Sequence, residues 1–221
     1  MSKAFIFDLN GTIINDMEYH EHAWYSILNN DYHAGLSHEE VAKQMYGKNE
    51  EVLTRVFGPG KFTREEMHKI SIEKEKRYQS EYRNHLKLLD GLESFLQKAK
   101  KEMILIALGT AAIPFNVDFV LDNCRIRKYF DAIVSADDVT TSKPDPETFI
   151  KAAEKLNVPF DKCIVFEDSP KGVEAAQNAG MKAVVIKTMH EENAFEKYDN
   201  VLMFISNYTD ERLLHYLKII E

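Results

Sequence analysis

Ala4-Phe5-Ile6-Phe7-Asp8-Leu9-Asn10-Gly11-Thr12 is a four-residue apolar run that stops at a carboxylate and then turns at a glycine. A run this apolar suits a strand buried on both faces of a parallel sheet, which places Asp8 at its carboxyl end. In open α/β sheets ligands bind at that edge, because the loops leaving the strands line a crevice where strand order reverses. A carboxylate there can act as metal ligand, nucleophile or base. An Asp after a strand is also a common turn former, so the rest of the chain has to decide.

Downstream, from about Asp16 to Tyr82, the chain carries charged segments with helical spacing and no convincing strand, which predicts an all-helical insert. Ser37 with Glu40, and Thr63 with Glu66, match the capping box, and Gly35, Gly47 and Gly58-Pro59-Gly60 supply stops. The apolar faces would carry Trp24, Ile27 and Leu28, then Val41 and Met45, then Met67, Ile70 and Tyr78. From Leu88 onward helices alternate with short apolar runs. Helices are predicted over 91–100, 116–124, 145–156 and 169–180, and runs over 104–108, 132–134, 163–166, 183–186 and 201–205. Pro146 would open the third of these helices and Ser169-Pro170 the fourth. Thr209 would cap a last helix with Leu213, Leu214, Leu217 and Ile220 on its buried stripe. This alternation predicts an α/β fold: a doubly wound, Rossmann-like parallel sheet core (1–15 and 83–221) with an inserted small helical cap domain (16–82).

Composition narrows the partners. With 221 residues, 44% of them hydrophobic, the chain can bury a full core. Lys and Arg total 28 against 36 Asp and Glu, a net charge of -8, which argues against nucleic acid or an anionic membrane as main partner. Cys124 and Cys163 stand far apart and are expected as free thiols in a reducing cytoplasm. The only apolar run near the start is interrupted by Asp8, and none is long enough to span a bilayer. A cytoplasmic monomer acting on a small molecule is expected.

The residues that leave each apolar run share one edge of the sheet. Asp8 leaves the first, Gly109-Thr110-Ala111 the second, the loop with Lys143-Pro144 the third, and Glu167-Asp168-Ser169 the fourth. Singly, each has an ordinary explanation as a turn, a solvated loop or a helix cap. Together they supply the groups that phosphoryl transfer through a carboxylate needs. A hydroxyl, backbone N–H groups and an ammonium hold phosphate oxygens, and carboxylates hold a hard divalent ion.

Asp8-Leu9-Asn10-Gly11-Thr12, Leu108-Gly109-Thr110, Lys143-Pro144-Asp145-Pro146 and Phe166-Glu167-Asp168-Ser169 resemble the four ordered motifs of the haloacid dehalogenase superfamily of aspartate-nucleophile phosphotransferases. The helical insert after the first motif resembles the small cap of the β-phosphoglucomutase-like branch. The resemblance implies that Asp8 attacks phosphorus and forms an aspartyl-phosphate, and that Thr110 and the Ala111 N–H bind the transferring group while Lys143 neutralises its charge. It implies Mg²⁺ held by Asp8, the Asn10 main-chain carbonyl and Asp168, with Glu167 in direct or water-mediated contact.

Position 10 departs from the pattern. Hydrolysing and transferring relatives usually carry a second aspartate there, which protonates the leaving oxygen and then activates water. Asn10 can hydrogen-bond but cannot exchange a proton at neutral pH, and general acid-base catalysis typically supplies about 10²- to 10⁴-fold in rate. Three readings stay open. The substrate has a leaving group that needs little protonation, such as pyrophosphate, an acyl phosphate or an activated ester; or His20 or Glu18 takes the proton; or Asn10 is an engineered substitution.

The cap is expected to close over the site and read the far end of the substrate, with His20, Lys48 and Asn49 as candidate contacts. His20 and His22, two apart on a helix, point in different directions and form no metal pair. The related mutase places an arginine shortly after the glycine equivalent to Gly47 to grip a second phosphate; here Glu50 and Glu51 take that stretch instead. The expected function is a Mg²⁺-dependent phosphohydrolase of small phosphorylated metabolites, sugar phosphates or pyrophosphate-like compounds. A β-phosphoglucomutase-like isomerase and a non-catalytic phosphometabolite-binding protein are the alternatives.

Overall fold

The computed structural model describes residues 3–213. Its contacts separate two units, Asp16–Leu86 and the described part of Met1–Asn15 with Lys87–Glu221. Among the described residues, β1 (Ala4–Phe7) is followed by α1 (Met17–Tyr25), α2 (His38–Ala42), α3 (Asn49–Phe57) and α4 (Arg64–Tyr82). The chain then runs α5 (Leu92–Lys101), β2 (Leu105–Gly109), α6 (Pro114–Asn123), β3 (Ala132–Val134) and α7 (Glu147–Leu156). It finishes through β4 (Cys163–Glu167), α8 (Pro170–Asn178), β5 (Lys182–Ile186) and β6 (Val201–Ile205).

The six strands form one sheet of order β3-β2-β1-β4-β5-β6, with every pair parallel. This is the doubly wound, Rossmann-like arrangement that the alternating pattern predicts. Strand order reverses between β1 and β4, so Asp8 and Glu167-Asp168 leave the two strands that bound the crevice. β1 is apolar at every position because both of its faces are covered. Phe5 and Phe7 point to one layer, where their rings meet Phe95, Phe166 and Tyr208. Ala4 and Ile6 point to the other, a cluster with Phe149 and Ala152 of α7 and Val173 of α8.

The helical unit has its own core of Trp24, Ile27, Leu28, Val41, Val52, Leu53 and Ile70, with Met45 and Met67 packed against it. Both expected capping boxes are present, Ser37 with Glu40 opening α2 and Thr63 with Glu66 opening α4. Several boundaries shift. Pro146 is the cap of α7 rather than its first residue. The last helix begins at residue 211, where Asp210 Oδ1 accepts from the Arg212 N–H, so Asp210 caps it instead of Thr209. Leu213 is buried, and Leu214, Leu217 and Ile220 lie outside the described residues. No described helix is long and apolar enough to cross a membrane.

Candidate active site

The turn after β1 is fixed before any ligand arrives. The Asp8 N–H donates to the Phe166 carbonyl of β4 at 2.9 Å, and the Ile13 N–H closes the turn onto the Leu9 carbonyl at 2.8 Å. Gly11 at the apex has φ +72, and a Cβ there would sit 2.0 Å from Asp168 Oδ2. Only glycine allows both that backbone and that approach. Beyond β4, a Cβ at Gly172 in the first turn of α8 would lie 1.8 Å from Glu167 Oε1. The two glycines leave the carboxylates room to converge.

They do converge. Asp8, Glu167 and Asp168 are buried, and each offers an oxygen within 4.8 Å of the others. Lys143 Nζ donates to Asp8 Oδ1 at 2.6 Å and to Glu167 Oε1 at 2.8 Å, with its charge also 4.6 Å from the centre of the Phe149 ring. Glu167 Oε2 accepts from the Asp168 and Ser169 N–H groups and from Ser169 Oγ, so both of its oxygens are engaged. Thr110 is buried at the end of β2, beside β1 in register, with its hydroxyl accepting from the Ala112 N–H. The Ala111 N–H has no hydrogen-bond partner among the described residues and is half-buried.

Three buried carboxylates against one ammonium leave negative charge uncompensated, and this sets the protonation equilibria. Burial pushes the Asp8 carboxyl up to about 7, outweighing the pull of Lys143. Burial, then Glu167 and Asp8, push Asp168 well above the carboxylate range. Burial also acts upward on Glu167, but Lys143 and Ser169 overcome it and hold this carboxylate low. Asp8 and Glu167 in turn overcome burial and keep Lys143 charged. An all-oxygen donor set short of positive charge fits a hard divalent cation, which would sit among Asp8, Glu167 and Asp168.

This yields a pH prediction. Asp8 is raised from 3.8 to about 7, so its contribution to stability is full below the unfolded value and is lost as pH rises through the folded one. The ion-free protein should lose roughly 2–4 kcal/mol between pH 4 and 8 on this account. A divalent ion replaces the missing charge, so 10 mM Mg²⁺ should raise Tm by at least about 4 °C more at pH 8 than at pH 5. Scanning calorimetry at the two pH values, with Mg²⁺ and with EDTA, measures this difference. Equal Mg²⁺ effects at both would contradict the charge deficit.

Two hydroxyls that sequence reasoning missed hold the turn from behind. Thr188, just past β5, donates through Oγ1 to the Gly11 carbonyl at 2.7 Å, and Asp168 Oδ2 lies 3.5 Å away. Tyr208, past β6, donates to the Thr12 carbonyl at 3.0 Å. Neither sits in a stretch that reads as chemical, though both lie beyond strand carboxyl ends. Thr188→Val should speed exchange of the Thr12 and Ile13 amides about fivefold while leaving β4 amides unchanged. Hydrogen exchange by NMR gives the comparison.

Asn10 is half-buried in the turn after β1, where its backbone bridges to Ile14, and the remaining sequence candidates lie in the helical unit. His20 is buried, stacked on Tyr78 at 3.8 Å, with Nδ1 2.6 Å from Lys74 Nζ and Nε2 3.2 Å from Asp16 Oδ2. Tyr78 Oη donates to the same Asp16 oxygen at 2.6 Å, and Lys74 also pairs with Glu75. Glu18 is exposed on the first turn of α1. Lys48 caps α3, and Asn49 opens it with its side chain donating to Glu75 Oε1 at 2.7 Å. The missed members, Asp16, Lys74 and Glu75, carry no signal in the sequence that sets them apart from a solvated face. Ile70, Ser71, Lys74, Glu75, Tyr78, Gln79 and Tyr82 are buried at helical spacing, so the inward face of α4 is largely polar.

Known proteins share this architecture. A family model described as haloacid dehalogenase-like hydrolase matches residues 5–186. The fructose-1-phosphate phosphatase YqaB of Escherichia coli is 30% identical over 189 residues, covering 83% of this chain and 96% of that protein. The β-phosphoglucomutase of Bacillus subtilis is 33% identical over 196 residues, covering 82% of each. Among solved structures, a family IA, variant 3 hydrolase from Entamoeba histolytica superposes with a TM-score of 0.85 at 26% identity, covering 98% of this chain and 99% of that one.

Proposed function

Because this chain belongs to the haloacid dehalogenase-like hydrolase family, we propose that it is a Mg²⁺-dependent phosphohydrolase of small phosphorylated metabolites, working through an aspartyl-phosphate on Asp8. The helical unit is then the cap of a β-phosphoglucomutase-like branch. The observation that carries this reading is the meeting of Asp8, Lys143, Glu167 and Asp168 at the strand-order switch.

In this reading an Asp8 oxygen attacks phosphorus, the bond to the leaving oxygen breaks, and that oxygen departs with the electron pair. Water then attacks the acyl phosphate, releasing phosphate and restoring Asp8. Thr110 and the Ala111 N–H hold phosphoryl oxygens, and Lys143 both orients Asp8 and offsets the charge gathering around it. Bound Mg²⁺ would supply the charge that lets an anionic nucleophile approach an anionic substrate. Asp8, Asp168 and the Asn10 carbonyl would hold it. Glu167, with both oxygens engaged, suits a contact through water and serves to position Lys143 and Asp168.

Asn10 decides the substrate class. His20 has a partner on each ring nitrogen inside the helical unit, which argues against His20 as a relocated proton donor, and we read the donor as missing rather than moved to Glu18. The leaving group must then depart with little help, as from pyrophosphate-like compounds, acyl phosphates or activated esters, while sugar phosphates should turn over slowly. The sugar-phosphate reading rests on the phosphatase relative. Isomerisation is less well supported, since the stretch after Gly47 carries Glu50 and Glu51, and the Glu51 carboxylate accepts from the Lys48 N–H.

The test compares leaving groups. The chain should hydrolyse 4-nitrophenyl phosphate with Mg²⁺ and lose this with EDTA. Asn10→Asp should raise hydrolysis of alkyl phosphates at least about tenfold, the low end of what a general acid supplies, with a smaller gain on the nitrophenyl ester. Equal gains on both, or none, would remove the proposed role of position 10.

A further inference from the structure

The helical unit contains a cleft of about 550 Å³ whose lining comes entirely from residues 31–61. That volume is in the range of small-ligand sites. One wall is aromatic: Tyr32 meets Phe57 edge-on at 5.9 Å, and both meet Phe62, at 5.1 and 5.4 Å. The rings pack edge-on, with Phe62 backing Tyr32 and Phe57 from outside the lining, and Tyr32, more than a third exposed, is the open face.

The polar side of the cleft is cationic. Arg55 stands 3.7 Å over the Tyr46 ring, with Nε donating to Gln44 Oε1 and Nη2 to the Gln44 and Tyr46 carbonyls. All of these acceptors are neutral. Burial draws the Arg55 guanidinium down from its ordinary value, and no carboxylate bonds it directly. Glu51, one turn earlier on α3, has a carboxylate oxygen accepting from the Lys48 N–H. Nη1 makes no hydrogen bond among the described residues, and neither do the side chains of Lys61 and His33, which line the same cleft. The one carboxylate in the lining, Asp31, is paired with Arg77 at 2.7 Å.

A rigid guanidinium held by neutral acceptors, a nearby ammonium and an aromatic wall make complementary surroundings for one kind of ligand. We propose that this cleft is a second binding site, which takes a small anion carried on a flat ring. The ring lies against Tyr32 and Phe57, and the anionic group meets Arg55 Nη1 and Lys61. The site is independent of the carboxylates of the α/β unit and needs no cation.

Naphthalene-2-sulfonate is a suitable probe, being flat, permanently anionic and inert to phosphate chemistry. Titrated into ¹⁵N-labelled protein, it should shift amides of residues 31–36 and 55–61. 2-Naphthylmethanol and inorganic sulfate, each carrying half of the chemistry, should bind at least about tenfold more weakly. Lys61→Met, a change at an exposed side chain, should weaken the sulfonate about threefold to fivefold and leave hydrolysis of 4-nitrophenyl phosphate as in the parent. Arg55→Gln should weaken it about tenfold or more, with helical circular dichroism reporting whether the unit stays folded. Shifts mapping to residues 8, 110, 143 and 168, equal binding of the neutral alcohol, or an unchanged affinity in Lys61→Met and folded Arg55→Gln would each overturn the proposal.

Discussion

Asp8→Asn abolishes turnover of 4-nitrophenyl phosphate, with a loss of roughly 10⁴-fold or more, as expected for removal of a covalent nucleophile. The substitution keeps the side chain's shape, and the amide oxygen it introduces can still accept from Lys143, so the turn tied to Phe166 should survive. Stability should therefore change little or increase slightly in the ion-free protein, because a carboxyl that burial pushes up to about 7 is replaced by a group with no charge to desolvate. The variant thus separates chemistry from folding. Steady-state rates with thermal unfolding on the same samples provide the check, and residual activity above about a percent of the parent's would show that another group attacks phosphorus.

The second large effect belongs to Lys143. Lys143→Met removes the ammonium that bonds Asp8 and Glu167 and leaves three buried carboxylates without a cation of the protein's own. Breaking a buried pair by removing one partner typically costs about 3–5 kcal/mol, and here the neighbouring carboxyls can recover part of it by taking up protons. The ion-free variant should therefore be destabilised most at pH 8 and least at pH 5. Activity should fall roughly 10²- to 10³-fold, the range seen when one stabilising donor is removed. Tm across pH together with kcat gives the answer, and a variant with parental stability at pH 8 would contradict the charge balance described for the site.

Much of the α/β unit is legible in the sequence because its signals are local. The run Ala4–Phe7 is apolar at four successive positions since both faces of β1 are covered, and that alone places Asp8 at a strand end. The strand-end residues are legible as a set, because chain order and sheet edge coincide in a parallel α/β fold. Contacts between distant segments stay concealed. Thr188 reaches back across 177 positions to the Gly11 carbonyl, and Tyr208 across 196 to Thr12, with nothing in their neighbourhoods to mark them. In the helical unit the usual rule misleads. Lys74 and Glu75 look like the solvated face of an amphipathic helix, yet they face inward and satisfy each other, His20 and Asn49. Pro146 and Thr209 each fall one position from the expected place, because a proline or hydroxyl near a helix start fits either side of the boundary.

In the proposed reaction Asp8 carries the phosphoryl group while Asp168 and its neighbours hold the cation. A crystal structure grown with Mn²⁺ and beryllium fluoride would show both at once. Beryllium should be bonded to an Asp8 carboxylate oxygen, with fluorines within hydrogen-bond reach of Lys143, Thr110 and the Ala111 N–H, and an anomalous manganese peak should lie beside Asp8 and Asp168. Beryllium fluoride on any other side chain, or manganese bound away from these carboxylates, would contradict it.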